Sequence, residues 1–340
     1  MKVPTLKSFT FQQRILDLDR ITHDETMQNG NELCLAGNRL GSVAELTGRI
    51  GSASVYGEAF SAVHKVEKTA IRISVKKVPI TKAELKSPFS KRFLLQDNSV
   101  WGEVVAYILC TVLVLAETTQ SLPIFYRYYT CKGCSFVNRN ISVAKQPCLL
   151  IVNELADMDL SHFLKKESHL IKSDLVLNCI FQIAQALYTL QYHLGMTHND
   201  LHYGNVLVHK VKPGGYWEYL IDGKRYYLPN LGYVFVVWDF GKASIPRKLG
   251  QPSDEDDTDI SRITDNIKYV IKKKGLAISK NVYDVIKFCE RNSLETILHT
   301  CFASYTHKVD EDDILQTFNT NRRGAGKSIQ KDLQYFFKHV

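Results

Sequence analysis

The sequence has no apolar stretch long enough to cross a membrane. Its longest apolar run covers residues 104–116 and is interrupted by Tyr107, Cys110 and Thr111, whereas a membrane-spanning helix needs about 20 mostly apolar residues. This run predicts a buried helix instead. The sequence also has no low-complexity tract, and its contents of 45% hydrophobic and 23% charged residues are close to those of ordinary globular proteins. We therefore expect the whole chain to fold without contact with a membrane.

The chain also lacks a secretion signal and a concentrated basic arm. Residues 1–7 do not contain the apolar core of a signal peptide, so we expect an intracellular, reducing compartment such as the cytoplasm. The net charge of +8 suits anionic ligands or acidic partners. The lysines and arginines are spread along the chain, however, and nucleic-acid binding is unsupported. We expect the protein to be a monomer.

A complete zinc motif is missing as well. The chain has eight cysteines, and several of them lie in apolar helical stretches where a free thiol behaves as a small hydrophobic group. Cys131 and Cys134 form a Cys-x-x-Cys pair, which is the usual spacing of half a zinc site. No second pair of closely spaced Cys or His residues follows, so metal binding by these two residues stays open.

Two short segments carry groups suited to phosphoryl transfer. Residues 197–207 read Thr-His-Asn-Asp-Leu-His-Tyr-Gly-Asn-Val-Leu, and residues 238–241 read Trp-Asp-Phe-Gly. Asp200 provides a carboxylate for an acceptor hydroxyl, while Asn205 and Asp239 provide oxygen ligands for Mg²⁺. Either segment alone could be an ordinary turn, since Asp and Gly are common there. Their order, with an amphipathic helical pattern over residues 174–194 before them, favours a catalytic site.

These segments resemble the catalytic and metal-binding loops of the protein kinase superfamily. The resemblance implies that Asp200 is the catalytic base, that Asn205 and Asp239 hold Mg²⁺, and that His198 supports the loop. His202 occupies a position where many Ser/Thr kinases carry lysine, and it is a further catalytic candidate. Histidine at this position also resembles haspin-like and small-molecule kinases, so a small-molecule acceptor stays open.

The resemblance also places a glycine-rich, phosphate-binding loop within residues 48–60, although the match is imperfect. With Gly57 as the last glycine of the motif, Ser52 and Ser54 stand where glycines belong; with Gly51 as the first, the later glycines are missing. Small residues still allow backbone N–H groups to approach phosphates. A plain hairpin turn is the alternative for this segment.

Three further residues are candidates for nucleotide binding. Residues 73–76, Ile-Ser-Val-Lys, resemble the kinase strand that carries the phosphate-binding lysine. Because side chains alternate along a strand, Ser74 and Lys76 share one face, where Ser74 leaves room for adenine and Lys76 reaches the phosphates. Glu103, at the start of a predicted helix, is the expected partner of Lys76, although it could merely complement the helix dipole.

The expected fold is a two-lobed, α+β protein kinase fold. Residues 1–40 read as an N-terminal extension, residues 41–153 as a mostly β, nucleotide-binding N-lobe, and residues 154–340 as a mostly helical C-lobe. A buried strand over residues 149–152 leads to the crossing point between lobes. There the resemblance implies that backbone groups at Glu154 and Ala156 bind adenine.

The passage from Tyr226 to Phe235 before the Asp-Phe-Gly motif resembles the kinases of large DNA viruses, a group similar to the haspin branch. Asn199 replaces the arginine that usually meets an activation-segment phosphate, and no Ala-Pro-Glu follows. We therefore expect activity without phosphorylation of the activation segment. Asp257 or Asp259, two alternatives that the sequence leaves open, is expected to hold the catalytic loop from the following helix.

The predicted function is ATP- and Mg²⁺-dependent phosphorylation of Ser or Thr hydroxyls in a protein substrate, inside a host cell or virion if the protein is viral. A small-molecule kinase on the same fold is one alternative. A pseudokinase scaffold is another, favoured by the imperfect glycine-rich loop.

Overall fold

The computed structural model describes residues 10–28, 30, 32–54, 57–88, 99–136, 146–246 and 258–322, with only the backbone for residues 52–54. The chain divides into two compact units. The first, here called the strand-rich unit, contains residues 12–111 and 123–155. The second, here called the helix-rich unit, contains residues 10–11, 112–122 and 156–322. The predicted α+β class is confirmed, while the lobe boundaries at residues 40 and 153 stay predictions.

The strand-rich unit is built on a seven-stranded sheet in the order β1-β2-β3-β4-β5-β7-β6, in which every neighbouring pair is antiparallel. Its strands are β1 Leu35–Ala36, β2 Arg39–Leu40, β3 Ala44–Ser54, β4 Gly57–Val66, β5 Thr69–Pro79, β6 Phe125–Cys134 and β7 Gln146–Glu154. The predicted strand over residues 149–152 forms the middle of β7, where all four side chains are fully buried. Burial on both faces explains why this run is continuously apolar rather than alternating.

In the described part of the N-terminal half, the helices are α1 Phe11–Thr22, α2 Glu25–Gln28, α3 Lys82–Lys86 and α4 Val100–Leu115. Helix α4 confirms the buried helix expected from the apolar run, since Trp101, Val104 and Ile108 are 0–1% exposed. Glu84, which is closer to Lys76 in sequence than Glu103, is used in the capping box of α3 with Thr81. No helix within the described ranges is both long and apolar enough to span a membrane.

The helix-rich unit contains α5 Leu160–Lys166, α6 Ser173–Leu194, α7 Asp259–Lys274, α8 Lys280–Cys289 and α9 Leu294–Cys301. Two small sheets accompany these helices, ordered β11-β10-β13 and β12-β9-β8. Their strands are β8 Met158–Asp159, β9 Val206–Lys210, β10 Tyr216–Ile221, β11 Lys224–Pro229, β12 Tyr233–Val237 and β13 Ile314–Asn319. The Asp222-Gly223 turn joins β10 and β11 into a hairpin, with Ile221 opposite Lys224.

A buried ion pair joins α1 to the end of β7. The Arg14 guanidinium lies with Nε 2.8 Å from Oε2 and Nη2 2.5 Å from Oε1 of Glu154. Glu154 Oε1 also accepts a hydrogen bond of 2.9 Å from the Ile124 backbone N–H. The two charged side chains are only 1% and 5% exposed. Removing either partner would therefore leave an uncompensated buried charge.

Arg14→Ala is expected to lower the free energy of unfolding by about 3–5 kcal/mol, because the Glu154 carboxylate loses its bidentate partner in a buried site. Urea titration followed by circular dichroism would measure the change. The matched control is Arg20→Ala in the same helix, whose pair with Asp17 is 34% and 22% exposed; it should cost at most about 1 kcal/mol. Equal losses in the two variants would contradict a special contribution from the buried pair.

Candidate active site

The segment that carries Asp200 is an irregular loop between α6 and β9. Helix α6 ends at Leu194 and is capped by Gly195, which adopts the left-handed conformation with φ 65° and donates its N–H to helix carbonyls. Thr197 then forms a two-way backbone bridge with Ser244, with N···O distances of 3.3 and 3.0 Å. Since Ser244 follows the Asp-Phe-Gly motif, this bridge ties the segment before Asp200 to the segment after Asp239.

The pairing of β9 with β12 brings Asn205 next to Asp239 in the fold. Val206 at the start of β9 is the register partner of Val237 at the end of β12. The Trp238 N–H donates to the Asn205 carbonyl at 2.9 Å, so the antiparallel ladder continues one step beyond the strands. The two predicted metal ligands therefore extend from adjacent strand ends, and Asn205 Nδ2 donates to the Asp200 carbonyl at 3.0 Å.

The Asp259 carboxylate, at the start of α7, holds the loop. One oxygen accepts hydrogen bonds of 2.9 Å from the backbone N–H groups of both His198 and Asn199, and the other accepts one of 3.2 Å from Leu201. Asp259 is 2% exposed. Of the two alternatives left open by the sequence, Asp259 makes these contacts, while Asp257 lies outside the described residues.

Two further side chains of α7 hold the same loop. Arg262 Nη1 donates to the Asn199 carbonyl at 2.7 Å, and Asn266 Oδ1 accepts from the Tyr203 N–H at 3.2 Å. Neither residue was predicted from the sequence. Their spacing of four residues places them on the same face of α7, which is the signal that could have identified them once Asp259 was known.

His198 is buried beneath the loop. Its Nε2 lies 2.8 Å from the Trp238 carbonyl oxygen, and its Nδ1 lies 3.3 Å from the Asp200 backbone N–H. These partners assign the proton to Nε2 and leave Nδ1 as an acceptor. Burial lowers the pKa of His198 below its usual value, although the nearby Asp259 carboxylate opposes the shift. A neutral ring in this tautomer connects the catalytic loop to the strand end before Asp239.

His202 contributes to the shape of the loop. Its Nδ1 accepts a hydrogen bond of 3.0 Å from the Gly204 N–H and caps the short turn Tyr203–Asn205. A Cβ atom at Gly204 would lie 2.8 Å from the His202 ring, so glycine is needed there. The observed contact is one of positioning, and a catalytic role of His202 stays a prediction.

Asp200 itself has a partner that the sequence reasoning missed. Lys242 Nζ lies 3.0 Å from Asp200 Oδ2, in a pair whose side chains are 45% and 32% exposed. Lys242 is three residues beyond Asp239, at the position directly after the Asp-Phe-Gly motif. A basic residue directly after that motif is the sequence signal that could have identified Lys242 as the partner of Asp200.

On the strand-rich unit, β5 and α4 bring together the predicted lysine and glutamate. Lys76 Nζ lies 2.5 Å from Glu103 Oε1, with side-chain exposures of 14% and 4%. Ser74 is buried on β5, where its Oγ donates to the carbonyls of Asn153 and Glu154 at 3.3 and 3.1 Å. The Ser74 hydroxyl thus links β5 to the end of β7.

The two remaining candidates for nucleotide binding, Glu154 and Ala156, have different surroundings. The Glu154 N–H already donates to the Ile124 carbonyl at 3.0 Å. Ala156 belongs to the helix-rich unit and is buried. The roles of Glu154 and Ala156 in binding adenine stay predictions.

The predicted glycine-rich loop lies where β3 meets β4, with Ser54 opposite Gly57. Gly57 has φ 152°, and a Cβ there would lie 2.5 Å from the Lys77 carbonyl oxygen, so close strand packing requires glycine. Gly51 also has a positive φ of 64°. Residues 55–56 and the side chains of Ser52 and Ser54 lie outside the described residues, as do residues 247–257 of the predicted activation segment after Asp239.

Comparison with known proteins finds similarity to protein kinases over part of the chain. A family model described as protein tyrosine and serine/threonine kinase matches residues 135–219, which include Asp200 and Asn205. Protein 019R of Frog virus 3 (isolate Goorha), whose name describes a serine/threonine-protein kinase, is 32% identical over 148 residues. Over these segments the chain is similar to protein kinases and resembles the kinases of large DNA viruses.

Other viral proteins are also similar to this chain, always over part of their length. Protein 380R of Invertebrate iridescent virus 6, also named as a serine/threonine-protein kinase, is 29% identical over 126 residues. Protein R403 of Acanthamoeba polyphaga mimivirus is 42% identical over 62 residues. The matches cover 42%, 34% and 17% of this chain and only 17%, 22% and 8% of 019R, 380R and R403 respectively.

Asp259→Ala is expected to destabilise the loop, because three N–H groups lose their acceptor. Each buried donor left unsatisfied costs about 1–3 kcal/mol. We therefore expect this substitution to lower the free energy of unfolding several-fold more than a surface substitution does. Asp265→Ala on the same helix is the control, since that carboxylate is 55% exposed. Hydrogen exchange at the amides of residues 198–201 would report the local effect, and unchanged protection there would contradict the assigned role.

Proposed function

We propose that this chain transfers the γ-phosphate of ATP to Ser or Thr hydroxyls of a protein substrate, with Mg²⁺ as the metal. The observation that carries the proposal is the geometry of the helix-rich unit. Asp200, Asn205 and Asp239 extend from one loop and two adjacent strand ends, with the loop held by Asp259. The names of the viral relatives favour protein hydroxyls as acceptors and an infected host cell as the place of action.

The proposed metal ligands fit Mg²⁺. Asn205 offers an amide oxygen and Asp239 a carboxylate, and oxygen ligands of this kind suit Mg²⁺. Asp239 has φ 65°, a left-handed conformation that is uncommon for a residue other than glycine. When bound, Mg²⁺ would neutralise charge on the transferred phosphate.

Asp200 would orient the acceptor hydroxyl and take its proton as the phosphoryl group is transferred. Its carboxylate is partly exposed, at 32%, so an acceptor can reach it. Hydrogen bonds between the loop backbone and the side chains of Asp259, Arg262 and Asn266 hold the loop, which keeps the carboxylate in a defined position. Lys76, held by Glu103, would provide the cation for the nucleotide phosphates.

Asp200→Asn should lower kcat on the order of 10²–10⁴-fold, the usual contribution of a positioned acid–base group, while the Kd for ATP changes little. Lys76→Met should instead weaken ATP binding. Asp284→Asn, an exposed carboxylate on α8, is the control.

Transfer from γ-labelled ATP to casein or histone and to a panel of metabolites would measure activity and acceptor class. Label only in metabolites would favour the small-molecule alternative, and ATP binding without transfer to any acceptor would favour a pseudokinase.

Lys242 would supply the cation that the catalytic loop lacks. Many Ser/Thr kinases carry lysine at the position of His202, whose ring here caps the Tyr203–Asn205 turn. Lys242 lies 3.0 Å from Asp200 Oδ2 and is nearly half exposed, so its ammonium can also meet an incoming phosphate. A preorganised cation of this kind stabilises charge that develops in the transition state.

Lys242→Ala should therefore lower kcat on the order of 10²-fold, by analogy with the loss of one charge-stabilising donor, and Lys242→Arg should retain most of the activity. Lys272→Ala, an exposed lysine in the last turn of α7, serves as the matched control. Steady-state kinetics at saturating ATP would measure the effect. Higher activity in Lys242→Ala would show that the ion pair blocks Asp200 rather than assisting transfer.

A further inference from the structure

Four of the eight cysteines meet at one end of the sheet in the strand-rich unit. The Sγ atoms of Cys131, Cys134 and Cys148 all lie within 4.8 Å of one another, and all three residues are buried. Cys34 pairs with Cys131, and their Cα atoms are 5.0 Å apart. This group, here called the four-cysteine cluster, joins three separate segments of the chain. None of its members has a place in the proposed kinase mechanism.

Strand register explains why three of these thiols converge. Cys131 on β6 is the direct register partner of Cys148 on β7, so their side chains point to the same face of the sheet. The register shifts between Cys131 and Cys134, which pairs opposite Gln146. This irregularity brings the second cysteine of the Cys-x-x-Cys pair back toward the first.

The fourth thiol arrives through a short contact beside β6. Glu32 forms a parallel bridge with Thr130, and the Leu33 N–H donates to the Thr130 carbonyl at 2.9 Å. These bonds place Cys34 beside Cys131. The sequence has no second pair of neighbouring cysteines. In the fold, Cys34 before β6 and Cys148 after it take the place of that pair.

The structure connects the cluster as two disulfides, Cys34–Cys131 and Cys134–Cys148. A sulfur of the first disulfide lies within 4.8 Å of both sulfurs of the second. A tetrahedral zinc site has Zn–S distances of about 2.3 Å, and its sulfurs are then separated by about 3.8 Å. Three sulfurs that lie close together, with a fourth bonded to one of them, are therefore near the arrangement that a tetrathiolate site requires.

We propose that the reduced protein binds one Zn²⁺ through Cys34, Cys131, Cys134 and Cys148. Each thiol would lose its proton on binding, so four protons are released for every ion bound. The Cys-x-x-Cys spacing of Cys131 and Cys134 is typical of structural zinc sites. The ion would tie the segment around Cys34 to β6 and β7 and stabilise this end of the sheet. This inference is independent of the proposed kinase activity.

The first experiment uses the wild-type full chain, purified with a dithiol reductant that converts each disulfide to two thiols and is itself oxidised to a cyclic disulfide. We expect one zinc per chain by elemental analysis. Replacement by Co²⁺ should give the intense sulfur-to-cobalt charge-transfer band and the visible bands of tetrahedral thiolate coordination. A protein without bound metal, or cobalt spectra without thiolate bands, would overturn the proposal.

Variants then identify the ligands. Cys148→Ser should lose the stoichiometric metal, whereas Cys301→Ser, a half-buried free cysteine of the helix-rich unit, should retain it. Cys34→His should still bind one zinc, because histidine can replace cysteine as a zinc ligand but cannot form a disulfide. Cys34 is exposed and leaves room for the larger ring. Zinc retained in Cys148→Ser would show an adventitious ion only.

A mass measurement on the protein from reducing and non-reducing preparations tests the alternative directly. If the disulfides are the functional state, the chain isolated without reductant should be lighter by four hydrogens. It should also remain metal-free after mild reduction in the presence of Zn²⁺. That pair of results would refute the zinc site even if the cysteine variants failed to fold.

Discussion

The carboxylate of Asp259 is the interaction on which the catalytic loop depends. Residues 198–201 form neither helix nor strand, so their backbone N–H groups have no partners from regular secondary structure. A buried N–H without an acceptor costs about 1–3 kcal/mol, and Asp259 accepts three such hydrogen bonds at 2.9–3.2 Å. One buried side chain at a helix start therefore makes an irregular loop compatible with a buried position.

This support permits backbone conformations that would otherwise be unfavourable. Asn199 and Asp239 both have φ 65°, in the left-handed region, and such residues cost about 1–3 kcal/mol when the surroundings do not compensate. Asn199 Nδ2 donates to Ser244 Oγ at 2.7 Å, and Arg262 donates to the Asn199 carbonyl. The unusual conformations occur directly before the proposed catalytic Asp200 and at the proposed metal ligand Asp239 itself, as expected for a site whose geometry matters more than local stability.

The strand-rich unit contains buried ion pairs. Besides Arg14–Glu154, the pair Lys77–Glu58 has side chains that are 9% and 2% exposed, with 2.5 Å between the charged atoms. Buried pairs of this kind seldom add net stability, because desolvation offsets their attraction. They do penalise any arrangement that separates the partners, and this favours one position of α1 and one register of β4 against β5.

The sequence alone determined the local chemistry of the site and the elements that carry it. Asp200, Asn205 and Asp239, the long helix α6, the buried strand β7 and the β10–β11 hairpin are all encoded within short windows, where spacing and periodicity are sufficient signals. Only the tertiary structure decided which distant groups meet them. The contacts of Asp259 with the loop, of Lys242 with Asp200, of Arg14 with Glu154, and of Cys34 and Cys148 with Cys131 depend on chain packing and strand register. Side chains that are far apart in sequence leave no periodic signal of such contacts.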